Sequence, residues 1–138
     1  MSAEAKLAEL KLELPPTPKP GGIYKPVVQV GNILYVSGHG PLRPDRTLIT
    51  GKVGRDLNEE QAREAALVTG LTMLTSLKNY LGSLDRISRV IKLLGMVNAV
   101  PEFQSHPAVI NGCSELFRQL WGEDGVGARS AVGMGSLP

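Results

Sequence analysis

The sequence predicts an α+β fold, a mixed β-sheet with two helices packed on one face, in a single domain over residues 1–138. Three observations lead there. Two β-branched runs flank a turn dipeptide, and a long, well-capped helical stretch occupies the middle of the chain. The remaining apolar segments then alternate strand, helix, strand. Strands separated by helices need crossover connections, so the sheet must mix strand directions and carry both helices on one side. The other face is left uncovered, and an uncovered apolar sheet face predicts self-association.

Residues Ala3–Leu14, rich in Ala, Leu, Glu and Lys, read as a short helix. Pro15, Pro16, Pro18, Pro20, Gly21 and Gly22 then make an extended connector. Val27–Val30 and Ile33–Ser37 form a hairpin across Gly31-Asn32. The loop Pro41–Gly54 is expected to hold a third short strand near Leu48–Gly51. A long helix starts at the N-cap Asn58, with Gln61 completing a capping box and Glu59 and Glu60 on the positive dipole end. Its apolar arc is Ala66, Leu67, Met73, Leu74, Leu77 and Leu81, and Gly82 stops it. Ile87–Val97 is apolar and β-branched enough to read as a central strand. A second helix spans Pro107 to Leu120, ended by Gly122, and Ala128–Gly133 is the last strand.

Composition excludes several classes. A net charge of +2 with scattered Lys and Arg is too mild for a phosphate-tracking surface, and 4% aromatics leaves no base-stacking platform, so nucleic acid is not an expected partner. One cysteine, Cys113, rules out an intrachain disulfide, His39 and His106 lack ligand spacing, and no phosphate-cradling Gly loop precedes a helix, so no metal and no organic cofactor is expected. There is no apolar signal core and no run long enough to span a membrane, which makes the cytoplasm the expected compartment.

Three segments, GNILYVSGHGPL (31–42), INGCSELF (110–117) and ARSAVGMGSLP (128–138), resemble the reactive intermediate deaminase, or YjgF-like, family. The resemblance covers the chain from Gly22 onward, and the last motif is the most specific. The N-terminal helix and GKVG (51–54) look like a less studied branch. The resemblance implies a chorismate-mutase-like fold, a homotrimeric barrel, and a ligand cleft at each subunit interface. It also implies hydrolysis of enamines and imines, such as 2-aminoacrylate and 2-iminopropionate, to 2-keto acids and ammonia without metal or cofactor.

Carried over residue by residue, the resemblance makes Arg129 the anchor of the substrate carboxylate. An arginine suits this role because its planar fork binds a carboxylate bidentately and keeps its charge. Read from the residues alone, Arg129 is a surface arginine at a strand start. Ser37 and Gly38 match a Ser-Gly pair lining the cleft, or simply end the hairpin strand. Tyr24 matches an aromatic that closes the pocket, and is equally at home as packing in a Pro/Gly loop. Asn111 on the second helix reaches an interface or is solvated. His39, where relatives carry Gln, is a rim residue or a proton carrier.

Two departures from the family pattern stand out. Ala131 takes the place of a Cys that follows Arg-Ser in many deaminases; the position contributes mainly backbone groups. Relatives also continue with a further strand carrying a Glu that positions the attacking water, and no residue here matches it. Cys113, on the helix, reads as a small buried residue. The rival readings are a non-catalytic or regulatory binder of small carboxylates, and the RNA cleavage or translation inhibition of older family labels.

Overall fold

The computed structural model describes all 138 residues. Its elements are α1 (Ala3–Glu9), β1 (Val27–Val30), β2 (Ile33–Val36), α2 (Glu59–Leu81), β3 (Lys92–Asn98), α3 (His106–Trp121) and β4 (Ala128–Met134), with short 3-10 turns at Leu84–Arg86 and Gly122–Gly125. The fold is α+β, as expected.

Local chemistry fixes the two long helices. At the start of α2, Asn58 Oδ1 accepts from Gln61 N at 2.8 Å and Gln61 Oε1 accepts from Asn58 N at 2.9 Å. Two otherwise orphaned donors are thereby satisfied. Gly82, at φ +84°, ends the helix in the left-handed conformation. In α3 the first turn accommodates Pro107, and the helix runs to Trp121. The two helices pack closely because Gly112 has no side chain: a Cβ there would lie 2.1 Å from the Arg63 carbonyl oxygen.

β3, α3 and β4 form one crossover unit. The strands are parallel, in register from Lys92 opposite Ala128 to Asn98 opposite Met134, and α3 lies across them. β1 and β2 pair antiparallel, from Val27 opposite Val36 to Val30 opposite Ile33. The expected single mixed sheet is instead two separate two-stranded sheets. No backbone ladder joins them because the hairpin docks by side chains: Val27 is buried, and Tyr80 of α2 donates its hydroxyl to Gln29 Oε1 at 3.0 Å.

Two boundaries and two strand assignments also differ from expectation. The first helix ends at Glu9, since Lys11 adopts φ +54°, and Leu10, Leu12 and Leu14 pack against the core. Their alternation is that of an extended segment, which the following prolines favour. No third strand forms at Leu48–Gly51; only an isolated bridge pairs Leu42 with Leu48. β3 begins at Lys92 rather than Ile87, because Leu84–Arg86 turn on a Ser83 cap and Ile87 still belongs to that turn as its cap. β3 is not central either, having only β4 as ladder partner.

The core is a cluster of 16 buried residues drawn from α1, α2, α3, β3 and the loops between them. α1 is fastened to it reciprocally. The Glu4 amide donates to Asp85 Oδ1, and the Glu4 carboxylate accepts from Leu84 N and pairs with Lys78, each at 2.9–3.0 Å. On the sides turned away from the helices, Val30 (62% exposed), Tyr35 (61%) and Leu94 (56%) stand in solvent with Val28, Ile33, Met96 and Val132.

Candidate functional site

Alternation along β4 places Arg129, Ala131 and Gly133 on the side facing α3. On α3, Asn111 and Ser114 are three residues apart and therefore share a face. The two elements meet at the guanidinium. Arg129 Nη1 donates to Asn111 Oδ1 at 2.7 Å and to Ser114 Oγ at 3.1 Å, and Nη2 donates to the Pro107 carbonyl at 3.4 Å. All three acceptors are neutral. The chain's ion pairs, Arg55–Asp56, Lys78–Glu4 and Arg118–Glu115, lie elsewhere.

An arginine has five N–H donors. With three engaged, the Nε–H and one Nη2–H have no partner in the chain, and these belong to the edge that grips a carboxylate bidentately. The half-buried cation is thus oriented by dipoles while keeping both its charge and a fork. Next to Asn111, Cys113 is only 4% exposed. Burial pushes its thiol up to about 12, with the Arg129 cation pulling weakly the other way. A thiol so held stays protonated and is no nucleophile.

The other expected residues form a second group at the end of the hairpin. Ser37 donates its hydroxyl to the Lys25 carbonyl at 2.5 Å and its amide to the Pro26 carbonyl at 2.9 Å. Tyr24 is exposed, its hydroxyl accepting from Gly21 N at 3.1 Å. Gly38 is exposed too, and a Cβ added there would meet nothing within 4 Å. No hydrogen bond or strand ladder connects this group to Arg129 within the chain. The structure therefore brings Arg129 and Asn111 together, with Ala131 one step along the same strand face, and leaves Tyr24, Ser37 and Gly38 apart from them.

His39 sits behind the second group as a brace. Its Nδ1 lies 2.7 Å from the Ser37 carbonyl and its Nε2 lies 2.8 Å from Ser76 Oγ of α2. A carbonyl only accepts, so Nδ1 carries a proton, and Nε2 shares its own hydrogen bond with the Ser76 hydroxyl. Ser76, Thr72 and Thr75 are buried polar residues of α2. They dock the chain preceding and following the hairpin: Thr75 donates to the Pro15 carbonyl at 2.8 Å, and Thr72 Oγ1 accepts from Leu42 N at 3.4 Å. Sequence reasoning missed this polar seam and also Ser114. The spacing of Ser114 from Asn111 was a usable signal; the seam had none, since polar helix residues ordinarily face water.

No helix is long and apolar enough to cross a membrane. Residues 4–138 match the model of the family described as "YjgF/chorismate mutase-like, putative endoribonuclease". Protein TCP17 of Trypanosoma cruzi is 36% identical over 135 residues, covering 97% of this chain and 84% of that protein. A crystal structure of a protein of unknown function from Agrobacterium tumefaciens superposes with TM-score 0.88 at 44% identity, covering 99% of this chain and 84% of the other. A second, described as "a putative endoribonuclease" from Shewanella oneidensis, superposes with TM-score 0.95 at 29% identity, over 100% and 91% of the two chains. With its fold and nearly its whole length matched in this way, the chain belongs to the YjgF/chorismate mutase-like family.

Proposed function

We propose that this protein hydrolyses small 2-imino acids and their enamine tautomers to 2-keto acids and ammonia. The observation that carries the reading is the Arg129 fork, oriented by Asn111, Ser114 and Pro107 with no acid to neutralise it. A free, aimed guanidinium edge suits a carboxylate. With the substrate carboxylate on that edge, the C=N group lies along β4 toward Ala131, where backbone dipoles orient it. Water adds to the imine carbon while the nitrogen takes up a proton. The carbinolamine then collapses, breaking the C–N bond, and leaves the ketone and ammonia. Most of the acceleration comes from positioning and fixed dipoles, with no covalent intermediate.

The assembly is a homotrimer with the cleft between subunits, and each chain is one folding unit around its single core cluster. Two features support this. The apolar residues Val28, Val30, Ile33 and Tyr35 of one sheet and Leu94, Met96 and Val132 of the other are exposed, surface that an interface would cover. The Arg129 group and the Tyr24–Ser37–Gly38 group, separate in one chain, complete one pocket when a second copy supplies the other half. A sedimentation mass near one subunit at micromolar concentration contradicts the trimer.

The second reading is a non-catalytic binder of small carboxylates. What favours it is that no carboxylate or imidazole hydrogen-bonds to the Arg129 cluster. One experiment separates the two: generate 2-aminoacrylate with a serine dehydratase and follow keto-acid release with and without the protein. Acceleration that scales with protein concentration supports hydrolysis. Saturable 2-keto acid binding without acceleration supports the binder.

A further inference from the structure

We infer that the chain carries a second carboxylate site, in a cleft of about 410 Å³ at the C-terminal ends of β3 and β4, lined by Lys52, Val100, Phe103, His106, Gly133 and Met134 among others. Arg129 is not among its lining residues: Gly133 lies four residues further along β4, roughly 13 Å at the strand rise, although the Arg129 guanidinium reaches the Pro107 carbonyl next to His106.

Lys52 is half-buried, and its ammonium donates to Asn98 Oδ1 at 3.2 Å and to the Gly135 carbonyl. Both acceptors are neutral, Lys52 is in no ion pair, and no acid lines the cleft. An ammonium has three donors, so one remains. The His106 ring makes no hydrogen bond, yet it is held in place. Phe103 packs edge-on to it, with centroids 5.4 Å apart at 89°. On its other side it lies against bare backbone, where a Cβ on Gly133 would stand 2.5 Å from Nε2. The cleft thus offers a fixed cation and a fixed imidazole N–H among apolar walls. A cation and an imidazole lining one opening suit the oxygens of a carboxylate, and the walls of Val100, Phe103 and Met134 match a short apolar or planar body attached to it.

Benzoate is the probe. Titrated into the isotope-labelled full-length protein, it should shift the amides of Gly133 and Gly135 and the ring protons of His106 saturably. Acetate, lacking the body, and inorganic phosphate, lacking both body and shape, should bind more weakly. Lys52→Met should weaken benzoate by roughly tenfold or more, the loss of one charge-assisted bond. His106→Leu, which removes no hydrogen bond from the folded chain, should weaken it too and serves if Lys52→Met fails to fold. Arg129→Met should leave the titration at these residues unchanged. The assignment is overturned if benzoate shifts Arg129 and Asn111 alone, if phosphate binds as tightly as benzoate, or if benzoate produces no saturable shift. It is equally overturned if folded Lys52→Met and His106→Leu both bind as the parent does.

Discussion

Replacing Arg129 by Ala separates a ligand-binding role from a structural one. Three of its five donors hold Asn111, Ser114 and the Pro107 carbonyl, all near the surface, so water can replace the guanidinium at each of them. The cost to folding should be about 1 kcal/mol or less, since those partners are not left dry. The remaining fork carries the ligand. A hydrogen bond to a charged group is worth about 1.5–3 kcal/mol, which corresponds to a loss of roughly ten- to a hundredfold in affinity for a 2-keto acid. Isothermal titration with 2-oxobutyrate reads the affinity, and a thermal melt on the same sample reads the fold. Arg129→Lys should lose nearly as much, because an ammonium cannot hold Asn111 and Ser114 and still present a flat edge. Unchanged affinity beside a large fall in melting temperature would refute the reasoning and make Arg129 a structural residue.

Other substitutions probe the frame around the site. Asn58→Ala removes half of the capping box and should cost about 1 kcal/mol in a denaturant melt, with little effect on ligand affinity. Gly112→Ala drives a methyl against the Arg63 carbonyl and should cost about 1–3 kcal/mol or more by the same assay. Cys113 gives a pH signature. Its thiol is raised from 9.0 to about 12 in the fold, so unfolding releases a proton above pH 9. Stability from this group is complete below about 9 and declines toward 12, by up to about 1.4 kcal/mol per pH unit. Denaturant melts across that range should fall more steeply for the parent than for Cys113→Ala, and equal slopes would remove the burial argument.

Where local chemistry decides an element, the sequence was a sufficient guide. The Asn58–Gln61 box and Gly82 mark both ends of α2, and Gly31-Asn32 marks the hairpin. Where two periodicities compete, it was not. Leu7 and Leu10 fit a helix, but Leu10, Leu12 and Leu14 also fit an extended strand, and Lys11 resolves the matter at a positive φ that no composition announces. Apolar content alone misassigned Ile87–Ile91 to β3, and burial did not follow hydrophobicity at Leu94 and Met96, which stand exposed. The opposite error came from Thr72, Thr75 and Ser76, polar residues buried because partners distant in sequence satisfy them. At the site, Arg129 donates to Asn111 directly, a bond that neither residue's sequence position announced. Their separation from Tyr24, Ser37 and Gly38 is a matter of tertiary distance, and no residue pattern encodes it.

That separation can be tested most directly with mixed oligomers. Arg129→Ala removes one half of the proposed pocket. Gly38→Val fills the other half, and the chain itself has open space at that position. Each variant alone should be inactive in the keto-acid release assay. Unfolded together in equal amounts and refolded, they should assemble clefts that take an intact Arg129 from one copy and an intact Gly38 from its neighbour. Random pairing across a symmetric interface makes about one quarter of the clefts intact, and activity should recover to about that fraction of the parent. Mixtures as inactive as the separate variants would place the whole site within one chain and contradict the account.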